Sequence, residues 1–315
     1  MNFGTKRILE VICLLVPIFS WTQARSGAWV HERNKFYLDI SSGQYKASKL
    51  FDQDGNKIPN EVLQIPGNFF LGTVPATYKQ FDTTGYIEYG LGWDTEININ
   101  FPFYINATQS VSAGNYSVTN LGDLQVGLKY KWMDLPWLVS AVEVVTGIPT
   151  GNESATSNKV NALPAQIIPT GDGEYDVALK AHFSRGFQAL PVFLSANVGY
   201  RFRDVNGGTS FVNDLPWGVD VGYTIPLLKE SNWLQSLTIS YATRGLRSFA
   251  SPTAAANTGL IATGTVPGQS LIDIQPGLFL NIWSKLALTT SYSYTVWGEN
   301  TGAGWSVRGG LAWAN

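Results

Sequence analysis

The amino-acid sequence predicts an all-β protein, an antiparallel transmembrane β-barrel of about twelve strands with short periplasmic turns and long extracellular loops. Three observations carry this prediction. Segments of roughly ten residues place an apolar side chain at every second position, short turns alternate with long loops, and tryptophans flank the short turns.

The alternation is clearest in one segment, where Ile97, Ile99, Phe101, Phe103 and Ile105 are interleaved with Asn98, Asn100, Pro102, Tyr104 and Asn106. Successive side chains of a strand point to opposite faces, so one face of this strand is apolar and the other is rich in amides. In a membrane barrel the apolar face meets lipid and the polar face lines a lumen, whereas in a soluble sandwich the apolar face packs on a second sheet. Alternation alone leaves both architectures open.

The connections between strands favour the membrane barrel. The predicted strands are residues 35–45, 80–92, 95–107, 121–132, 137–148, 175–187, 192–203, 217–227, 234–244, 271–282, 286–297 and 304–313. Connections 93–94, 133–136, 188–191, 229–232 and 283–284 are short, whereas 46–79, 149–174 and 245–270 are long. Outer-membrane barrels sort their connections in this way, with both termini at the short-turn rim, and a sandwich has no reason to do so. The exception is 298–303, which is short although it falls on the long-loop side.

Composition agrees with a barrel. Charged residues make up only 14% of a chain that contains 32 Gly and 11 Trp, and the mean hydropathy is close to zero. Tryptophans expected to form an interfacial girdle beside the short turns are Trp93, Trp132, Trp137, Trp233, Trp283 and Trp313; in a soluble barrel they would instead close its ends. Beyond the N-terminal segment no run of eighteen apolar residues occurs, which excludes a helical membrane protein. A net charge of -2 provides no basic surface, so we expect no nucleic-acid partner.

The N-terminus resembles a secretory signal. An apolar run over residues 11–19 follows two basic residues and precedes Ala24. We expect a cleaved signal peptide at 1–24 and a single barrel domain at 25–315, with cleavage after Ala28 as a second option and a short buried helix as the alternative. Cys13, the chain's one cysteine, would be removed with the signal. The expected location is the bacterial outer membrane.

The inward face of the strands collects the charges. The candidate lumen and constriction residues are Glu88, Lys129, Lys131, Glu143, Asp176, Lys180, His182, Arg201, Arg203, Asp220, Asp273 and Arg308, with Asp39 on the same face. A Lys or Arg facing lipid at mid-depth would cost roughly 2 to 4 kcal/mol, which enforces this phase. Because positive and negative side chains are mixed on this face, we predict ion pairs in the lumen. The predicted constriction places the cations Lys129, Lys131, Arg201 and Arg203 against the anions Glu88, Glu143 and Asp220.

Two further segments bear on whether a pore is open. Phe69, Phe70 and Leu71 lie near the middle of the first long loop, where they either fold into the mouth as a loop gate or extend the second strand above the membrane. Only about ten residues of the mature chain precede the first strand, too few for a plug domain of the kind that fills large transporters.

Nothing in the sequence predicts catalysis. Histidine occurs only at His31 and His182, far apart in sequence, so neither a nucleophile with its base nor a metal-ligand set is recognisable. Residues 52–56 have the carboxylate spacing of a calcium loop but lack its closing glutamate, and an Asp-Gly turn explains them more simply. We therefore expect no enzyme activity, no metal site and no cofactor.

Several segments resemble the bacterial outer-membrane transporter family associated with the meta-pathway of phenol degradation. They are GDLQVGLKYKW at 122–132, TGIPTG at 146–151, ANVGYRF at 196–202, and the region 37–54 with its YKAS and FDQDG runs. The resemblance spans most of the mature chain. It departs at the C-terminus, because such barrels commonly end on an aromatic residue that the assembly machinery recognises, whereas here Ala314 and Asn315 follow Trp313.

The resemblance implies a barrel that passes small molecules, aromatic or apolar ones among them, through the outer membrane. With a polar lumen constricted by loops and charged side chains, the leading hypothesis is a channel for passive passage. The competing hypothesis is a surface-binding or structural barrel whose long loops engage a partner. Expected partners are outer-membrane lipids and lipopolysaccharide, small-molecule solutes and the barrel-assembly machinery, with the barrel a monomer.

Overall fold

The computed structural model describes residues 27–64, 72–112, 114–152, 154–158, 168–187, 190–203, 213–227, 233–249 and 269–315. The predicted signal peptide and the predicted loop gate of Phe69, Phe70 and Leu71 lie outside these residues. Within the described ranges the chain forms strands and turns, and no helix there is long and apolar enough to cross a membrane.

Sixteen strands are present in the described residues. They are β1 Phe36–Phe51, β2 Lys57–Pro59, β3 Glu61–Gln64, β4 Gly72–Pro75, β5 Thr77–Gly92, β6 Thr95–Val111, β7 Gly114–Asn120, β8 Leu124–Leu135, β9 Leu138–Ile148, β10 Asp176–Phe187, β11 Val192–Arg203, β12 Asp214–Pro226, β13 Ser236–Ser248, β14 Ser270–Asn281, β15 Leu286–Glu299 and β16 Thr301–Ala314.

Twelve of these strands form a closed antiparallel barrel. The ring runs β1, β5, β6, β8 and then β9 to β16, each strand pairing with the next. It closes where β16 pairs with β1, in a register that extends from Tyr37 opposite Ala314 to Phe51 opposite Thr301. The prediction of a twelve-stranded antiparallel barrel is confirmed, and each predicted strand corresponds to one strand of the ring.

The short strands β2, β3, β4 and β7 all lie at the long-loop end. β2 pairs with the last three residues of β1, and β3 pairs with β4. β7 forms a hairpin with the C-terminal part of β6, from Ile105 to Val111. Several barrel strands are also longer at this end than predicted, with β1 reaching Phe51 and β6 reaching Val111. The tight link between β15 and β16 turns at Asn300, which adopts a left-handed backbone with φ of 49°.

The outer surface of the ring is apolar. Large side chains that are more than a third exposed there include Ile40, Leu128, Val144, Leu179, Leu194, Val221, Tyr241, Leu288 and Leu311. The six tryptophans beside the short turns are 40% to 85% exposed. Their positions match an aromatic girdle at the rim of a hydrocarbon-facing band.

A β-bulge corrects the predicted orientation of one residue. On β6, Tyr104 pairs with Thr83 whereas Pro102 pairs with Thr84, so Phe103 is an extra residue in the ladder. An extra residue reverses the alternation beyond it. The expectation that Ile105 faces outward is therefore wrong, because Tyr104 is exposed and Ile105 is 7% exposed on the inner side.

Ile105 belongs to an apolar cluster at the long-loop end. The cluster consists of Leu50, Tyr78, Ile105, Ala107, Tyr116, Val118, Ala155 and Ile168. Its last two members come from the connection between β9 and β10, where the Ile168 N–H donates to the Ala155 carbonyl over 2.9 Å. The inner wall of this end is thus covered by a packed loop.

Asp123 fixes the base of that loop. Its carboxylate accepts the backbone N–H groups of Gly151 and Asp172, each over 2.9 Å. Burial, together with the nearby Asp172 carboxylate, raises the pKa of Asp123 despite these two donors. The residue ties the link between β7 and β8 to the link between β9 and β10.

Candidate functional site

Residues 27–35, which we call the strap, cross the lumen at the short-turn end. The Ala28 N–H donates to Ser184 Oγ on β10 over 2.8 Å, and Ser184 Oγ lies 2.6 Å from Ser195 Oγ on β11. Ala28 is fully buried. The strap leaves the wall at β1, and β11 is the seventh strand of the ring counted from there. A segment too short for a plug domain therefore still reaches the opposite wall.

Two glycines allow the strap to approach the wall closely. A Cβ added at Gly27, whose φ is 145°, would lie 2.5 Å from the hydroxyl oxygens of both Ser184 and Ser195. A Cβ at Gly90 on β5 would lie 2.1 Å from the Glu32 carbonyl oxygen. Between these points the Trp29 ring packs edge-on against Phe193, with ring centroids 6.4 Å apart.

The strap adds a histidine to a cluster of buried charges. His31 Nε2 lies 3.1 Å from Glu88 Oε2, and the His31 backbone N–H donates to Glu96 Oε2 over 2.9 Å. Lys129 Nζ lies 2.8 Å from Glu96 Oε1, and the Tyr86 hydroxyl donates to Glu88 Oε1 over 2.6 Å. Alternation brings the wall residues together, because Tyr86, Glu88, Glu96 and Lys129 occupy inward positions of β5, β6 and β8, and the strap carries His31 to them.

The same charges continue onto the next two strands through Glu143. The Asn98 amide donates to Glu143 Oε1 over 2.5 Å, and His182 Nε2 lies 2.9 Å from Glu143 Oε2. Lys180 Nζ lies 3.8 Å from the same oxygen. We refer to His31, Glu88, Glu96, Lys129, Glu143, Lys180 and His182 as the charged cluster. It occupies the inner wall from β5 to β10.

The electrostatics of His31 follow from this setting. Burial lowers its pKa, but the hydrogen bond and charge of Glu88, with the charge of Glu96, outweigh burial and raise the pKa above its ordinary value. Donor atoms of His31, Glu88 and Glu96 lie within 4.8 Å of one another. Because the Lys129 ammonium already lies against Glu96, we interpret this group as an ion-pair cluster and not as a metal site.

A second group of charges lies at the long-loop end. The Arg201 guanidinium forms a bidentate ion pair with the Asp214 carboxylate, with Nε 3.0 Å from Oδ1 and Nη2 2.6 Å from Oδ2. Arg201 Nη1 is also 3.8 Å from Asp176, and Arg203 lies 3.4 Å from both Asp172 and Asp214. This group joins β10, β11 and β12 and the loop before β10.

The remaining candidate residues are dispersed. Arg244 lies 2.9 Å from Asp220, Arg308 pairs with Asp82, and Asp273 stands opposite Arg244 in the β13–β14 register. Lys131 pairs with Asp94 and Asp134 over 3.0 and 2.7 Å. Those two carboxylates flank short turns, so Lys131 lies at the rim, apart from the other charges predicted for the constriction.

The structure thus divides the predicted constriction among separate groups. Glu88, Lys129 and Glu143 meet in the charged cluster, Arg201 and Arg203 lie in the long-loop group, and Asp220 pairs with Arg244. Sequence analysis placed Asn98 on the polar face but missed Asp82, Glu96, Asp214 and Arg244 as site residues. Asp82, Glu96 and Arg244 lie in the inward phase of predicted strands and could have been found in this way, whereas Asp214 precedes the predicted strand 217–227 and belongs to the longer β12. His31 has no comparable signal because it precedes the first strand.

The wall opposite the charged cluster keeps open space. A cavity of about 110 Å³ lies against β11 to β15. Its uncharged polar lining consists of Thr238, Ser240, Gln275, Thr289 and Ser291, most of which have short side chains. The Asp220–Arg244 pair, Phe193 and Phe279 also line the cavity. The charged cluster therefore lies on one side of the lumen and the cavity on the other, with the strap reaching Phe193 at the edge of the cavity.

Comparison with known proteins supports the fold. No known family profile matches the chain, and no curated protein matches its sequence. Among solved structures, an outer-membrane channel from Pseudomonas putida F1 superposes with a TM-score of 0.57 at 12% identity, covering 93% of this chain and 98% of that one. The NanC porin gives a TM-score of 0.48 at 10% identity, covering 88% and 98%. The toluene transporter TodX of Pseudomonas putida gives 0.42 at 7% identity, covering 91% of each chain. The first likeness shows that this chain has the fold of a bacterial outer-membrane barrel.

Proposed function

We propose that the protein is an outer-membrane channel through which small solutes pass down their concentration gradient along the β11–β15 side of the lumen. The observation that carries the proposal is the cavity of about 110 Å³ on that side of a closed barrel. A barrel serving only as a structural or surface-binding scaffold has no need to keep such a cavity in its lumen.

The lining indicates the kind of solute. Phe193 and Phe279 offer aromatic surface beside the hydroxyl groups of Thr238, Ser240 and Ser291. Such a mixture suits a molecule with an apolar body and a few polar atoms. The cavity volume is of the same order as the roughly 150 Å³ that admits benzene in an engineered protein core.

Small aromatic or otherwise apolar molecules are therefore the proposed substrate class. This agrees with the sequence resemblance to the transporter family associated with the meta-pathway of phenol degradation, whose membership we propose for this chain on the segments at 122–132, 146–151 and 196–202. The Pseudomonas putida F1 protein with the same fold is itself an outer-membrane channel.

Substitution at the cavity tests the proposal. Ser240→Trp places a large ring in the proposed path, whereas Tyr241→Trp changes the next residue of the same strand, which is 45% exposed on the lipid face. In liposome swelling with small aromatic acids and with sugars, we expect the wild type to admit the aromatic solutes and Ser240→Trp to slow them several-fold. Tyr241→Trp is expected to behave as the wild type.

Two outcomes would contradict this path. Reconstituted wild-type protein that gives neither swelling nor bilayer currents at high protein load would leave the surface-binding barrel as the better hypothesis. Equal permeation through Ser240→Trp and Tyr241→Trp would move the path away from β13.

A further inference from the structure

We propose that His31 acts as a proton-operated latch, which holds the strap across the short-turn end of the lumen when protonated and releases it as the pH rises. The effect on transport rests on the proposed channel function. Docking of the strap does not, because it can be measured without any solute passing.

The contacts at the far end of the strap differ from those in its middle. At its far end the contacts are between uncharged groups, namely the Ala28 N–H on Ser184 and the Trp29 ring on Phe193. In its middle, His31 meets two carboxylates that are almost fully buried, Glu88 at 3% and Glu96 at 0% exposed. The affinity of the middle of the strap for the wall therefore depends on the charge of one imidazole.

The charges that face His31 come from three strands. Glu88, with the Tyr86 hydroxyl bound to it, faces His31 from β5, Glu96 faces it from β6, and Lys129 lies beyond Glu96 on β8. With a neutral imidazole, two carboxylates share one ammonium and the local charge is one negative. Protonation of His31 balances that charge in a site where water is largely excluded, so the docked strap favours the imidazolium.

The direction of the pH effect follows by linkage. A strap that has left the wall exposes its imidazole to water, where the pKa is near 6.5, whereas the docked His31 has a raised pKa. Protonation thus stabilises docking fully below the free value, and this stabilisation is lost as the pH rises through the docked value. The other histidine, His182, lies beside Glu143 but belongs to β10, so it is part of the wall and not of the strap.

Cysteine accessibility tests the latch directly. The buried strap residue is changed by Ala28→Cys, and its labelling rate with a charged maleimide is measured in detergent micelles at about pH 6 and about pH 8.5. Thiolate content also rises with pH, so each rate is divided by that of Ser154→Cys, an exposed residue of the β9–β10 connection. We expect the normalised rate to increase several-fold at the higher pH.

Two substitutions locate the titrating group. His31→Gln in the Ala28→Cys background keeps a polar side chain but cannot titrate, and we expect it to abolish the pH dependence. His182→Gln, the matched change at the other histidine, is expected to preserve it. A pH dependence that survives His31→Gln, or a normalised wild-type rate that does not change with pH, would overturn the proposal.

A crosslink covers the case in which Ala28→Cys itself disturbs docking. The Ala28 nitrogen lies 2.8 Å from Ser184 Oγ, so the pair Ala28→Cys and Ser184→Cys is expected to form a disulfide on mild oxidation at about pH 6, and more slowly at about pH 8.5 relative to a small-molecule thiol standard. Failure to crosslink at the lower pH would refute docking. If labelling and crosslinking show the expected pH dependence but the reconstituted protein gives no bilayer currents, the channel is refuted and the latch is not.

Discussion

Replacing Gly90 with alanine is expected to loosen the strap without touching any charged residue. The added Cβ would lie 2.1 Å from the Glu32 carbonyl oxygen and 2.4 Å from the His31 carbonyl oxygen. Real Cβ contacts stay above about 3.0 Å, so the strap backbone must withdraw by about 1 Å. The atoms in the way belong to the main chain, and a change of rotamer cannot relieve the contact.

The size of the effect follows from the contacts at stake. Withdrawal lengthens the hydrogen bond from Asn34 N–H to the Gly90 carbonyl, now 3.0 Å, and the one from the His31 N–H to Glu96, now 2.9 Å. Overpacking in a tight site typically costs about 1 to 3 kcal/mol. If the strap responds by leaving the wall, the ratio of undocked to docked protein rises by roughly 5- to 150-fold.

Hydrogen exchange followed by mass spectrometry measures this ratio directly. Peptides covering residues 27–35 should exchange faster in Gly90→Ala by about that factor, because their amides lose protection each time the strap undocks. In planar bilayers the same variant should spend a larger fraction of time open than the wild type.

Gly85→Ala is the matched control. Gly85 lies on the same strand but faces outward, and a Cβ there would come no closer than 3.7 Å to Phe103, an ordinary contact. Strap exchange in Gly90→Ala that equals the rates of Gly85→Ala and of the wild type would show that the strap does not rest against Gly90, and the argument would fail.

Two other predictions concern the stability of the barrel wall, measured by urea unfolding in lipid vesicles. Tyr292→Arg puts a charge on the lipid-facing side of β15 near the middle of the strand, where the tyrosine is 42% exposed, and should lower the free energy of unfolding by roughly 2 to 4 kcal/mol. Ser291→Arg, at the preceding residue on the inner face, should change it little. Arg201→Ala leaves the buried Asp214 carboxylate with Arg203, 3.4 Å away, as its remaining cationic partner and should cost about 1.5 to 3 kcal/mol. Arg247→Ala removes an ion pair whose arginine side chain is 57% exposed and should cost less than about 1 kcal/mol. Equal losses within either pair would contradict the assigned orientation or burial.

The strands could be predicted because their signal is local. A period of two is visible within any ten residues, and the membrane enforces it because a charged side chain on the lipid face is costly. The same logic failed at Ile105, since a bulge adds one residue and leaves no trace except a shift of phase. In the structure the bulge is marked by two consecutive exposed aromatics, Phe103 and Tyr104, but their exposure cannot be read from the sequence.

The strap could not be predicted from its own residues. Segment 27–35 has no periodicity, and its contacts are distant in sequence, with His31 reaching Glu88 57 residues away and Ala28 reaching Ser184 156 residues away. Such contacts depend on the register of strands across the whole ring. The one local hint is the inward glycine at Gly90, in a phase otherwise occupied by Asp82, Tyr86 and Glu88.

The pairing of charges was equally out of reach. Alternation shows that Arg201 and Lys131 point to the same side, but their neighbours depend on where each strand ends. The bulge between Lys131 and Met133 and the turn that carries Asp94 give Lys131 its partners at the rim. Inward position is a property of one strand, whereas a constriction is a property of the assembled cylinder.

The seam between the first and last strands has a consequence for the order of folding. Because β1 can pair with β16 only after the whole chain is present, this pairing is the last to form. It extends from Tyr37 opposite Ala314 to Phe51 opposite Thr301. The strap, residues 27–35, is attached to the barrel at that seam. It can contact Ser184 and Ser195 on the far side only once β10 and β11 stand opposite β1. Closure of the barrel and docking of residues 27–35 inside it are thus separate steps. A variant that lacks these residues should still fold into the closed barrel.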